Sequence, residues 1–558
     1  MEDAPRLSAL SKSAVTRAIV LALGLAIAHA LAGPAWAGPE EEKARELLAE
    51  ARTMAGEDQH GKAITCALAA LEIDPSLEGE AALLLANQYL WSDRSDEAIP
   101  WFERHLARHP GDLDAELNYA RALSWSDRME DSRRAYEKIT REHPENAEGW
   151  AGLARLATWS GDDREAERLA RETIARDPAH HEARSILAAA ENRRGKHRAA
   201  EKMYEELLAE EPGDVDSKIG RARARYWMGE GAQAVEDLDG IEAREANDLR
   251  SAILAGNRPS AESGYSSYTD VEDQDVETVY ASGGYPIDLA KRVEVDTRES
   301  ITSEPGTDDV RLFRLSGGGW WQFSRDWTVH AYAGWGHISA AGDVPAGEGE
   351  IVAQDDAEHD LFLADSWATW TPADWTRFDL GAARVPIETP KSLARRIAID
   401  LFSLSGTRRL HEQWSIEAVG AYGNYSDDNS RLAGGLAVEF RPVLSWPLRL
   451  QGGASAFHFD RTFDHGYYNP EDYNALYLDA LVSTDLGPRV HLELDGRVSS
   501  EQENDDDRFG VGAGGIDLGV RLHRSVMLSM FARESTSRFD TSAGYEREGW
   551  GAALNWTP

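Results

Sequence analysis

The chain has 558 residues, a formal net charge of −39, 42% hydrophobic residues and one cysteine, Cys66. The charge excludes nucleic acid as a partner, because a phosphate backbone is bound through Lys and Arg. One cysteine excludes a disulfide within the chain, and the length accommodates two or more domains.

The first element is a leader. Arg6, Lys12 and Arg17 precede the apolar run AIVLALGLAIAHALA at 18–32, and Ala35 and Ala37 stand in small-x-small order before Gly38. A basic start, a short apolar core and an A-x-A site predict a secretory signal peptide over 1–37, with the mature chain starting at Gly38. A membrane anchor is the alternative, but the apolar run is short for a full span.

Residues 38–255 repeat. Prolines stand at 75, 110, 144, 178 and 212, a spacing of 35 and then 34. Twelve residues before each proline is a small residue: Ala63, Ala98, Ser132, Ala166 and Ala200, with Ala234 continuing the series. Four residues further on, Phe102, Tyr136, Tyr204 and Leu238 are large and apolar. This period predicts tetratricopeptide helix pairs. The small residue lets two helices cross closely, the aromatic fills the gap, and the proline ends the second helix. Ala246 replaces the sixth proline, as expected of a terminal cap. Trp91, Trp125, Trp159 and Trp227 occupy one repeat position, in LWSD, SWSD, TWSG and YWMG, and Arg193 breaks the series. These rings either pack between repeats or form a row facing a ligand. The His180–His181 pair lacks Cys or carboxylate partners at ligand spacing, so no metal is expected there.

The stretch 256–263 reads as a linker, and 264–558 changes character. Ala, Glu and Leu give way to Gly, Trp, Tyr, Ser and Asp, and sixteen runs alternate apolar with polar residues, from 264–269 through 472–485 and 489–501 to 545–557. The connections after odd-numbered runs are mostly long or acidic, such as AAGDVPAGEGEIVAQDDAE, TPKSLARR and DRTFDHGYYNPE; those after even-numbered runs are tight, such as SRD, HEQ and LGP. Long loops at one end and short turns at the other predict a closed 16-stranded antiparallel transmembrane β-barrel. The fold class is therefore α + β: a tetratricopeptide α-solenoid followed by a barrel. A soluble sandwich or propeller is the alternative. Trp320, Trp327, Trp370, Trp375, Trp414 and Trp446 lie near the short turns, where an interfacial belt is expected.

Strand parity assigns the faces. In RVHLELDGRV, Val490, Leu492 and Leu494 are expected to meet lipid, while His491, Glu493, Asp495 and Arg497 face water. The same reading puts Glu294, Asp296, Arg377, Asp379, Glu439, Arg449, Asp479, Asp517 and Arg521 in the lumen. Carboxylates outnumber arginines in this set, which points to a neutral or partly cationic polymer and to cation preference. No nucleophile-and-base constellation stands out, and neither an enzymatic activity nor a cofactor is expected. NDDD at 504–507 reads as a solvated acidic loop sooner than a calcium site.

Leader, repeats and barrel together resemble the exopolysaccharide-export porins, a group that includes the poly-N-acetylglucosamine export porin and the outer-membrane subunit of cellulose synthesis. ALSWSDR (122–128), YGNYSDDNSR (422–431) and GYYNP (466–470) carry local likeness. The resemblance implies an outer-membrane conduit with periplasmic repeats. Its implied partners are lipid, an exopolysaccharide, and a periplasmic polymer-modifying enzyme or inner-membrane synthase complex. Tyr467 and Tyr468 could then touch sugar, or simply structure their loop. The competing reading is a scaffold whose barrel only anchors it.

Overall fold

The structure is a computed structural model and describes residues 38–270, 274–347, 349–536 and 547–558. The expected leader at 1–37, most of the loop VEDQD, Glu348 and the loop DTSAG lie outside the described residues. The chain forms two compact units, one ending at Ile186 and one beginning at Leu187. The division falls inside a helix, so the last repeats group with the barrel.

The first unit is built from helix pairs: α1 (Pro39–Gly56), α2 (His60–Ile73), α3 (Glu78–Leu90), α4 (Ser95–Arg108), α5 (Leu113–Trp125), α6 (Met129–Glu142), α7 (Ala147–Trp159) and α8 (Asp163–Arg176). Helix α9 (His181–Arg193) spans the division. The second unit continues with α10 (His197–Glu210), α11 (Val215–Trp227), α12 (Gly231–Asp237) and α13 (Arg244–Ala255). Each even-numbered helix from α2 to α10 stops two residues before its proline, because the residue preceding a proline is driven out of helical geometry. Where the proline is replaced, Ala246 is buried inside α13. Every small residue of the series, Ala63, Ala98, Ser132, Ala166, Ala200 and Ala234, is fully buried, as are Phe102 and Leu238.

The barrel strands are β1 (Ser260–Asp270), β2 (Asp275–Asp288), β3 (Lys291–Ser303), β4 (Val310–Ser324), β5 (Trp327–Ala340), β6 (His359–Ala373), β7 (Thr376–Pro386), β8 (Ala398–His411), β9 (Trp414–Tyr425), β10 (Ser430–Phe440), β11 (Leu448–Phe459), β12 (Asp472–Asp485), β13 (Val490–Glu503), β14 (Phe509–His523), β15 (Val526–Ser535) and β16 (Arg547–Trp556). Each pairs antiparallel with its neighbours, and β1 closes the ring on β16, with Ser263 opposite Leu554. The first strand starts at Ser260, inside the stretch read as linker. Three elements went unforeseen in the long loops: a hairpin at 344–347 and 350–352, and helical turns at Gln354–Ala357 and Pro390–Ala394.

Register gives each strand two faces. Leu492 lies between Thr484 and Leu518, while Glu493 lies between Ser483 and Asp517. On the outward face Val279, Val295, Phe362, Leu404, Leu436, Leu478, Val498 and Trp550 are exposed hydrocarbon. An apolar outer band on a closed sheet is the architecture of outer-membrane barrels. The expected tryptophan belt is only partly formed. Trp327, Trp370, Trp414 and Trp446 are exposed near the short turns, and Trp327 stacks on Trp370 at 5.7 Å. Trp320 instead pairs with His330 on the inward face, and Trp375 donates its indole N–H to the Arg194 carbonyl at 3.2 Å. The former is displaced by parity, the latter by a partner in the terminal repeats.

Candidate functional site

The candidate site is the interior of the barrel and its two mouths, all within the second unit. Glu294, Asp296, Arg377, Asp379, Glu439, Arg449, Asp479, His491, Glu493, Asp495, Arg497, Asp517 and Arg521 all fall by register on the face opposite the apolar band. Their surroundings are less acidic than the sequence inventory suggested. Asp479 pairs with Arg497 at 2.7 Å, Asp517 with Arg533 at 2.7 Å, Asp379 with Arg377 at 2.8 Å, Glu294 with Arg292 at 2.9 Å and Glu439 with Arg441 at 3.0 Å. Arg298, Arg314, Arg409, Arg431, Arg533 and Arg547 share the same face and were missed in that inventory. Parity was the signal that could have found them. The wall is thus a mosaic of paired charges.

The short-turn mouth is covered by the terminal repeats. Arg198 bonds Asp326 at 2.6 Å, and its backbone N–H donates to Asp374 at 3.1 Å. Arg194 pairs with Glu412, and Arg325 reaches Glu201 at 3.1 Å and Glu230 at 3.2 Å. Each contact joins the terminal repeats to a barrel turn, so the last repeats are tied to the rim. Between them lies a cavity of about 1080 Å³. His197 and Trp227 line it from the repeats; Trp320, Trp375, Asp379 and Glu439 line it from the barrel. Trp227 stacks on His197 at 6.2 Å, and burial holds the His197 imidazole below its ordinary pKa. The vestibule therefore offers rings and hydrogen-bonding groups side by side.

A strap crosses the other end. After β7 the chain turns inward: Ile387, Thr389, Ser392, Leu393, Ala394 and Ile397 are buried. Leu393 and Ala394 pack against Val310, Leu312, Ile338 and Ala340, which are inward residues of β4 and β5. Glu388 pairs with Arg314 at 2.8 Å, and Lys391 reaches Glu304 at 3.4 Å. Ser392 Oγ donates to the His465 carbonyl at 2.7 Å, which ties the strap to the loop before β12. The local cause is legible afterwards. Thr389 caps the turn by accepting from the Ser392 N–H at 3.2 Å, and Pro390 occupies the first helical position. Below the strap is a cavity of about 510 Å³, bordered by Tyr268, Tyr280, Arg298, Arg314 and Arg547.

The two loop tyrosines are placed differently. Tyr467 is buried, stacks on Tyr425 at 5.0 Å, donates to Asp427 at 2.9 Å, and has its phenol pKa pushed up by burial. A ring packed this way builds its loop and has little face left for sugar. Tyr468 donates to Glu503 at 2.8 Å. In the repeats, Trp91, Trp125, Trp159 and Trp227 are 46%, 44%, 49% and 63% exposed, so interleaving between repeats does not consume them.

Together the fold and site define a helical region of tetratricopeptide repeats followed by a closed 16-stranded antiparallel barrel. The tetratricopeptide-repeat family model matches residues 94–156, 128–190 and 193–256. Among solved structures, the chain is similar to a bacterial polysaccharide outer membrane secretin, at 13% identity over 54% of this chain and 99% of that one, with a TM-score of 0.41. It is also similar to a tetratricopeptide repeat protein from Parabacteroides merdae, at 20% identity over 38% of this chain and 87% of that one, with a TM-score of 0.34. A third likeness is to PilF of Pseudomonas aeruginosa, at 15% identity over 38% and 99% of the two chains, with a TM-score of 0.32. No curated protein matches the chain in sequence.

Proposed function

We propose that the protein is an outer-membrane conduit for secretion of an exopolysaccharide, with its repeats in the periplasm receiving the polymer or a periplasmic partner. The observation that carries this reading is the vestibule of about 1080 Å³ between the terminal repeats and the short-turn mouth of the barrel, lined by residues of both. Residues Glu294, Asp296, Asp379, Glu439, Asp479, His491, Glu493, Asp495, Arg497, Asp517 and Arg521 would line the path. Paired charges supply hydrogen-bonding groups with little net field, which suits a neutral polymer, and the carboxylate excess among these residues would extend that to a partly cationic one sooner than to a polyuronate. The partner on the repeats would be a polymer-modifying enzyme or the synthase complex of the inner membrane. Removing the gene should abolish surface polymer in its host, and the intact gene should restore it. Unchanged surface polymer in the deletion strain would contradict the proposal.

The strap supports a second reading. A segment packed across the interior is what a non-conducting barrel would carry, with the barrel then serving as the anchor of a periplasmic scaffold.

A further inference from the structure

The repeated tryptophans are the feature the fold does not require. In the motifs LWSD, SWSD and TWSG, the last residue is accounted for by the turn. Asp93 and Asp127 have φ of 57° and 58°, and Gly161 has φ of 75°. Each ends the first helix of its pair in the left-handed region that Gly and Asp tolerate. No such demand falls on the tryptophan beside it, since Arg193 takes that position in a later repeat without loss of the helix. Yet Trp91, Trp125 and Trp159 recur in three consecutive repeats, each nearly half exposed. Large aromatic surface left in water at a regular spacing marks an interaction site.

The neighbours are polar and equally periodic. One helical turn before each ring stand Asn87, Arg121 and Arg155, and residues four apart share a helix face. Asn118 donates to Asn87 at 3.1 Å, and Arg155 pairs with Glu182 at 2.5 Å, so this face carries a hydrogen-bonding ladder between repeats. The Arg121 guanidinium lies 5.8 Å over the Trp91 ring, and Trp91 meets Trp125 edge-on at 6.3 Å. Rings and polar groups therefore alternate along one surface of the first unit.

We infer that Trp91, Trp125 and Trp159 form a track that binds a linear polysaccharide. This inference rests on the export reading above and gives it a receiving site. Periodicity selects the occupant. The same side chain at the same position of successive repeats matches a ligand that repeats, whereas a folded protein offers an aperiodic surface. Sugar chemistry fits as well: the C–H face of a pyranose lies on an aromatic ring, and its rim of hydroxyls bonds to Asn, Arg and Glu.

The test is a titration of the full chain in detergent micelles with a β-1,4-linked glucose hexamer and with the corresponding glucosamine hexamer. The wild type should bind at least one. Trp91→Ser, Trp125→Ser or Trp159→Ser should each weaken binding by about threefold to tenfold, the range expected for one aromatic contact. The triple variant should not bind measurably. Trp101→Ser, in α4 and outside the series, should bind like the wild type. Thermal melts check that each variant is folded, and exposure at these positions makes that expected. Failure of the wild type to bind either hexamer, or wild-type affinity in the triple variant, would overturn the track. If deleting the gene still abolishes surface polymer, the conduit survives that result and only the track is lost.

Discussion

Tyr136 lays its ring on Gly152 so closely that an added methyl carbon there would come within 2.3 Å of the ring. The same contact recurs between Tyr204 and Gly220, also at 2.3 Å. Tyr204 is sealed so well that burial raises its phenol to about 12. Gly152→Ala should therefore destabilise the repeats by about 1–3 kcal/mol, the usual cost of overpacking a close-packed core, and denaturant melts would read it. A Gly152→Ala chain that melts with the wild type would show that the ring has room to move. A second residue-scale expectation concerns pH. His180 lies 3.2 Å from Glu148, and that contact chiefly raises the imidazole and lowers the carboxyl. A raised histidine stabilises the fold fully below its unfolded pKa of 6.5 and loses that contribution as pH rises through the folded value. A lowered carboxyl stabilises above 4.5 and loses its contribution as pH falls through the folded value. The pair thus acts between the two. His180→Gln should lower the melting temperature most near about pH 6 and least near about pH 8.5. A difference that does not change with pH would mean the pair carries no charge.

At the scale of the element, strand β13 makes the sharpest statement. Glu493→Arg alters a side chain on the charged face and should leave assembly intact. Leu492→Arg puts a charge into the apolar band, costing about 2–4 kcal/mol near the midplane, and should impair insertion. Heat-modifiable gel mobility reads both; normal assembly of Leu492→Arg with failure of Glu493→Arg would invert the faces. Elements of this kind were legible because a strand has a strict period of two, so β12 occupies the same residues, 472–485, in the alternation and in the fold. The strap was not legible. TPKSLARR has no alternation, and what holds it is Leu393 against Leu312 and Glu388 against Arg314, contacts between residues more than seventy positions apart. For the same reason parity placed Asp479, Arg497 and Asp517 on the charged face but was silent on the pairing, Asp479 with Arg497 and Asp517 with Arg533, which neighbouring strands set. The tryptophan positions were legible as a series, while their exposure depended on which helix face the next repeat covers.

At the scale of the whole molecule, the second unit joins a vestibule, a charged interior and a strap in one barrel, and the strap decides between conduit and anchor. If the strap is a removable constriction, the barrel beneath it conducts. If it is part of a solid plug, taking it out exposes no path. The direct measurement is planar-bilayer conductance of the full chain and of a variant lacking residues 389–396, both first shown to be folded by heat-modifiable mobility. The shortened chain should form stable channels of clearly larger conductance than the wild type. Their selectivity should be weak, tilt toward cations, and shift toward anions with Glu493→Arg. A folded strap-less barrel that passes no current, or one with a strong preference for anions, would contradict the conduit reading.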